Sequence, residues 1–328
     1  MSDLNEEMIS ENENVAEMKE NEVVAAPEAE TSSLVEGVMH SQDMKKVSTK
    51  QAVVKVLVQV GLYLFLGIMA LIIVFPFYWM LISSIKTLDE YNFSTPTLWP
   101  QELDTHNYME AFNAANLGTL FTNTVYVGLM STGLSLIITV LSAFAFARLE
   151  FKGKNALFAF LLATMMIPGE LFTITNYQTV NEFGWIDTFT VLIVPFLVSV
   201  FYIYLLKQNF MQIPNELYLA AKVDGTSDLK YLWKVMIPLA LPTLISITIL
   251  KMMGAWNTYM WPKLVTKNPE MYLITIGLRD SFAAPDGGQT DFPVQMAAVT
   301  MVSIPLFMVF IFLRKYIMKG VSRSGIKG

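Results

Sequence analysis

Cysteine is absent from the chain, which excludes a disulfide framework and a thiolate metal site. Histidine is nearly absent. His40 and His106 lie far apart in polar segments, so a histidine-based metal site or catalytic base has no partner residue. Charged residues make up 15% of the chain, against about 25% in a soluble globular domain. The net charge of −6 is a poor guide to partners, because much of the acid is confined to the first forty residues. Nothing in the chain points to nucleic acid.

What is present is apolar. Hydrophobic residues make up 54%, and the mean hydropathy is +0.46. Six apolar stretches are predicted to cross a membrane, at about 56–82, 119–145, 156–175, 188–206, 239–258 and 293–313. Each fits the ~20 residues that span ~30 Å of hydrocarbon as a helix. The predicted fold class is all-α, a polytopic membrane protein with six transmembrane helices. Lys and Arg set its orientation. With the N-terminus inside, the inner segments hold 16 of them, such as Lys45, Lys46, Arg148, Lys207, Lys222 and Arg314. The outer loops hold 4: Lys86, Lys263, Lys267 and Arg279. Both termini and the 207–238 loop are therefore expected in the cytoplasm.

Residues 1–50 carry Glu6, Glu7, Glu11, Glu13 and further acids, with no aromatic residue and no sustained apolar run. Such a segment cannot bury enough surface to offset its ordering entropy, so a disordered cytoplasmic tail is expected. It is no signal peptide, because its start is acidic and no short apolar stretch with a cleavage site follows. Trp79, Trp99, Trp185 and Trp261 fall near predicted outer edges, as an aromatic belt places them.

The polar 207–238 segment is patterned as two helices joined by a glycine turn. Pro214 suits the first turn of a helix, where its missing N–H costs nothing. Leu217, Ala220 and Ala221 are expected on one face. Asp224-Gly225 ends the helix, since glycine accepts the left-handed backbone that a sharp reversal needs. Thr226 or Ser227 is expected to cap a second helix, which Pro238 and Pro242 interrupt as it leads directly into span five. By periodicity alone this is equally an amphipathic loop lying on the inner membrane surface.

The segment resembles the cytoplasmic coupling loop of ABC importer permeases. Their signature is Glu-Ala-Ala, three residues, Gly, nine residues, then Ile-x-Leu-Pro. Here Ala220-Ala221, Gly225 and Val235-Met236-Ile237-Pro238 match that spacing throughout, while Leu219 stands where the glutamate would be. Glu216, one helical turn earlier, is the candidate substitute carboxylate. After about residue 55 the chain resembles the smaller permease subunit of carbohydrate importers, the group containing the maltose and glycerol-phosphate systems. The resemblance runs through Ser83-Ser84-Ile85-Lys86, Asn107-Tyr108, Asn123-Thr124, Ala143 to Arg148, Met166-Ile167-Pro168-Gly169-Glu170, Trp256-Asn257 and the tail from Lys319-Gly320 to Lys327-Gly328.

That resemblance implies a transmembrane domain over residues 51–328, with a core at 118–315 and a coupling loop at 207–238. Glu216, Ala220, Ala221, Asp224 and Gly225 are the expected ATPase-coupling residues. The implied partners are a second permease subunit in a heterodimer, two ATPase subunits, an extracellular sugar-binding protein and the lipid bilayer of a bacterial cell membrane. No phosphate-binding loop of the Gly-x-x-x-x-Gly-Lys-Ser/Thr type occurs, so ATP and Mg²⁺ are expected on the partner ATPase and no cofactor on this chain. Glu170 is an acid at membrane depth beside the helix-loosening Pro168-Gly169, and Trp256-Asn257 pairs an aromatic with an amide, as sugar sites do. With Asn123 these are the candidate substrate-pathway residues; each is equally readable as interhelical packing. Lys251 is the other charge in a span, as an ion-pair partner or a pathway residue. A permease of the same architecture for a polyamine or amino acid stays open. An intramembrane enzyme finds no histidine or Asp pair in the spans. A channel or proton-coupled carrier would show more intramembrane charge.

Overall fold

The computed structural model describes residues 49–282 and 291–322, and among them no strand occurs. The tail expected over residues 1–50 lies outside the described residues, save its last two, which open the first helix. The chain divides into two compact units, Met1–Ile73 and Val74–Gly328. The described part of the first is one helical stretch of α1 (Thr49–Ser83). Its side chains from Val54 to Ile73 are all exposed and almost all apolar, as a lipid-facing helix requires.

The second unit is a helical bundle. Its long central helix is α4 (Leu117–Arg148), entered through Asn116 in the left-handed conformation at φ 46°. Before it come the short α2 (Leu88–Tyr91) and α3 (His106–Ala114). After it come α5 (Lys154–Thr164), α6 (Thr173–Glu182), α7 (Phe189–Ile193) and α8 (Val200–Met211). The polar segment forms α9 (Asn215–Val223), α10 (Asp228–Tyr231) and α11 (Ile237–Leu239). The chain closes with α12 (Leu241–Asn257), α13 (Met260–Val265), α14 (Ile274–Ser281) and α15 (Phe292–Ser322).

Three predicted spans are single helices long and apolar enough to cross a membrane: Val54–Ser83, Leu117–Arg148 and Phe292–Phe312. The other three are bent pairs rather than straight helices. Lys154–Thr164 and Gly169–Glu182 meet at 85°, Phe189–Phe196 and Val200–Met211 at 46°, and Asp228–Leu239 and Leu241–Asn257 at 81°. Each bend falls near a proline: Pro168, Pro195, and the pair Pro238 and Pro242. Proline removes a ladder donor and clashes with the preceding turn, which fixes where the helix breaks.

Helix α4 packs chiefly against α8 and α12, and α12 against α15. Small residues set the closest approach: a Cβ added at Gly128 would lie 2.7 Å from Met252 Sδ on α12. The loops predicted on one side of the membrane meet each other. On the expected outer side, Asp187 Oδ1 accepts from the backbone N–H of Lys267 at 2.9 Å and of Asn268 at 3.0 Å. On the expected inner side, Arg148 Nη2 donates to Phe210 O at 2.9 Å and Ile213 O at 2.5 Å. These contacts agree with the alternation expected for spans two to five.

Candidate functional site

Helix α9 begins one residue later than expected: Pro214 is its cap residue, and Asn215 is its first helical one. Glu216 in the first turn and Lys222 in the last complement the helix dipole. The helix ends as glycine at position 225 dictates. Gly225 has φ 68°, Thr226 N–H donates to Ala221 O at 2.8 Å, and Gly225 N–H donates to Lys222 O at 3.0 Å. These two bonds form a Schellman turn, which satisfies the last carbonyls and reverses the chain.

The reversal brings α10 back against α9, where Asp228 fastens both. Its Oδ1 accepts from Tyr218 OH at 2.8 Å and pairs with Lys222 Nζ at 2.7 Å. The Tyr218 ring meets Tyr231 at 5.2 Å between centroids, and Lys222 Nζ lies 5.4 Å from the Tyr218 ring centre. The bond to Asp228 holds the Lys222 ammonium above its ordinary range. Burial, followed by the bond to Asp228, pushes the Tyr218 phenol up. Tyr218 and Ala221 turn inward onto a core formed by Phe210, Ile213, Tyr231, Leu232 and Met236 with Val140, Ala143 and Phe144 of α4.

This corrects the expected face. Of the three residues expected together, Leu217 and Ala220 are exposed, whereas Ala221 is half-buried on the core. The outward stripe is Glu216, Leu219, Ala220 and Val223, at helical spacing, with Asp224 and Gly225 exposed beyond it. Val223 is 88% exposed. The tyrosine decides the rotation, because its ring fills the core while its hydroxyl reaches Asp228 across the turn.

The second helix also differs from expectation. Ser227 occupies the cap position, but its hydroxyl makes no cap bond. After α10 the chain passes through a wide turn at Leu232–Met236 and then α11, and it breaks at Ala240 (φ −91°, ψ 3°) before α12. The segment thus meets span five through an elbow of 81°, not in a straight line. Tyr231, Leu232, Met236 and Ala240 are all buried, so the elbow is seated on the bundle. From the last turn of α4, Arg148 completes the seat by bonding Phe210 O in the last turn of α8 and Ile213 O just beyond it. It is buried, whereas the sequence offered it as an inner cation and as the end of the Ala143 to Arg148 motif.

The substrate-pathway candidates separate. Glu170 is exposed in the tight turn Gly169–Phe172, at the 85° break. Asn123 is buried, and its amide donates to Glu270 O at 2.7 Å and Tyr272 O at 3.1 Å, fastening α4 to an outer loop. Trp256 is 5% exposed and lies in a core with Ile274, Val294 and Ala297, tilted on Phe121. Asn257 is exposed, with Nδ2 donating to Met253 O at 2.8 Å. The expected aromatic–amide pair is therefore split between core and surface, since adjacent helical residues do not face the same way.

A family model described as "Binding-protein-dependent transport system inner membrane component" matches residues 135–323. The chain belongs to that family. An arabinooligosaccharides transport system permease protein of Halalkalibacterium halodurans is 30% identical over 262 residues, covering 79% of this chain and 93% of the relative. A diacetylchitobiose uptake system permease protein of Streptomyces coelicolor is 26% identical, covering 78% and 84%. A crystal structure of a bacterial ABC transporter involved in import of the acidic polysaccharide alginate shares the fold. Its TM-score is 0.74 at 24% identity, covering 79% of this chain and 96% of that one. The chain is thus a multi-pass permease of an importer, and membership implies a second permease, an ATPase and a binding protein as company.

Within the permease, the residues that hold the 207–238 segment in shape are Tyr218, Asp228, Tyr231 and Arg148. Their sequence signal was present but indirect. Tyr218, Tyr231 and Asp228, in a segment with four lysines, are residues of the kind that a turn needs in order to acquire its own small core.

Proposed function

We propose that this chain is one of two permease subunits of an ATP-driven sugar importer in a bacterial plasma membrane, and that residues 207–238 couple it to the ATPase. The observation that carries the coupling reading is the outward stripe of α9. Glu216, Leu219, Ala220 and Val223 are exposed, while the opposite face and the following elbow are seated on the ends of α4 and α8. A partner that pulls on the stripe moves the bundle. Asp224 and Gly225 serve by making the turn, and Ala221 by packing beneath it.

The relatives that take up arabinooligosaccharides and diacetylchitobiose favour an oligosaccharide over a polyamine or amino acid. The pore is completed by a different permease chain, two ATPase subunits hold ATP and Mg²⁺, and an external protein delivers the sugar. The distribution of Lys and Arg supports cytoplasmic termini. Exposed at the breaks and ends of spans, Glu170 and Asn257 are the retained pathway residues, whereas Trp256 and Asn123 act by holding the outer half of the bundle together.

The test is purification of the chain from its native cells in mild detergent, with mass spectrometry of what accompanies it. A second permease and an ATPase with a Walker-type loop are expected. A lone homo-oligomer without ATPase would refute the reading.

A further inference from the structure

Lys251 places a cation deep in a span. It lies ten residues beyond the start of α12, about 15 Å along the axis at ~1.5 Å per residue, which is half of a ~30 Å hydrocarbon core. Its ammonium, with three donors, gives one to Phe196 O at 2.5 Å, at the break between the two halves of span four. No carboxylate lies within ion-pair distance of it among the described residues. A charge at this depth without a counter-ion is expensive, and an anion beside it recovers much of that cost.

Lys251 and Phe196 both border a cavity of about 360 Å³, within the range of about 300–1,000 Å³ typical of small-molecule sites. Three spans of this chain build it. Ser131 comes from α4, Ser199 and Tyr202 from span four, and Lys251 and Thr258 from α12 and its end. The Tyr202 phenol has no hydrogen-bond partner among the described residues. Hydroxyls, an aromatic wall and one unmatched ammonium together suit a polyol that carries a carboxylate.

We propose that this cavity is a solute subsite of the permease, which takes the uronate ring of an acidic saccharide with Lys251 as counter-ion. This rests on the importer reading and narrows its substrate class. The hydroxyl side chains bond the ring hydroxyls, and the ammonium keeps its Phe196 contact while pairing with the carboxylate.

The test uses the intact importer complex in nanodiscs without its binding protein. The probes are digalacturonate and its dimethyl ester, which keeps both rings and removes both charges. By calorimetry, the wild type should bind the acid at least tenfold more tightly than the ester. Lys251→Met should erase that preference, and Lys251→Arg should keep most of it. If Lys251→Met does not assemble, Tyr202→Phe combined with Ser131→Ala must weaken acid binding at least fivefold. The proposal is overturned by equal binding of the two probes, by binding of neither, by a preference that survives Lys251→Met, or by unchanged binding in the double variant. ATP hydrolysis by the same complex when its binding protein is added reports the importer reading separately. If hydrolysis is intact and the acid preference is absent, the subsite alone is refuted.

Discussion

Gly225 offers the sharpest perturbation, because its side-chain space is empty. Its φ is 68°, and nothing lies within 4 Å of the point where a Cβ would sit. A substitution there cannot clash with a neighbour, so its effect is confined to the backbone. An ordinary L-residue in the left-handed conformation costs ~1–2 kcal/mol, while Asn adopts it with much less difficulty. That energy corresponds to a factor of roughly 5–30 in an equilibrium. Gly225→Val, being β-branched, carries the penalty in full; Gly225→Asn is the matched control. If the turn opens, the ATPase docks on a displaced α9, and its affinity for the permease falls by up to ~30-fold. If the turn stays closed, the same strain lowers the unfolding midpoint of the permease. Docking is measured by titrating the purified ATPase onto the permease pair in nanodiscs, and unfolding by a thermal scan of the same sample. The reasoning fails if Val and Asn variants match the wild type in both measurements.

The two alanines separate docking from packing. Ala220→Trp is expected to weaken ATPase docking at least tenfold and leave the unfolding midpoint in place, whereas Ala221→Trp overfills the core at a cost of about 1–3 kcal/mol and lowers that midpoint. Equal behaviour of the pair would refute the face assignment. Arg148→Met strands the carbonyl of Ile213 and leaves that of Phe210 with its bond from the Ile213 N–H, at about 1–3 kcal/mol for an orphaned group, so thermal unfolding should shift down clearly; an unchanged midpoint would count against the seat. Donation from the Asn268 and Lys267 backbone holds the Asp187 carboxyl below its ordinary range. Its contribution to stability is therefore complete above the unfolded value, near 4, and is lost as pH falls through the lower folded value. Melting between pH 6 and pH 3 should drop more for the wild type than for Asp187→Asn, and parallel drops would contradict this.

The crossings were legible because long apolar runs have few alternatives, and the breaks were partly legible because proline names them. Pro168-Gly169 announced the 85° bend, but Pro238 and Pro242 predicted only an interruption, not an elbow seated by Tyr231, Leu232 and Met236. The face of α9 was misread because periodicity ranks residues by hydrophobicity. Tyr218 is drawn inward by Asp228, ten residues away across a turn. The role of Asn123 was out of reach, since its carbonyl partners lie 147 and 149 residues further on. The splitting of Trp256 from Asn257 was within reach: neighbouring residues on a helix point about 100° apart.

The outward stripe of α9 has a consequence for how such importers diversify. Glu216, Leu219, Ala220 and Val223 lie outside the core, so packing places no constraint on them, and only Glu216 has a local role, at the helix N-terminus. If the stripe is the docking surface proposed above, substitutions at Leu219, Ala220 and Val223 leave the core untouched and are read by the ATPase. Leu219, standing where the signature has a glutamate, is a change of that kind. On that proposed coupling, a permease would exchange one ATPase for another by altering a few surface side chains, with its packed bundle left as it is.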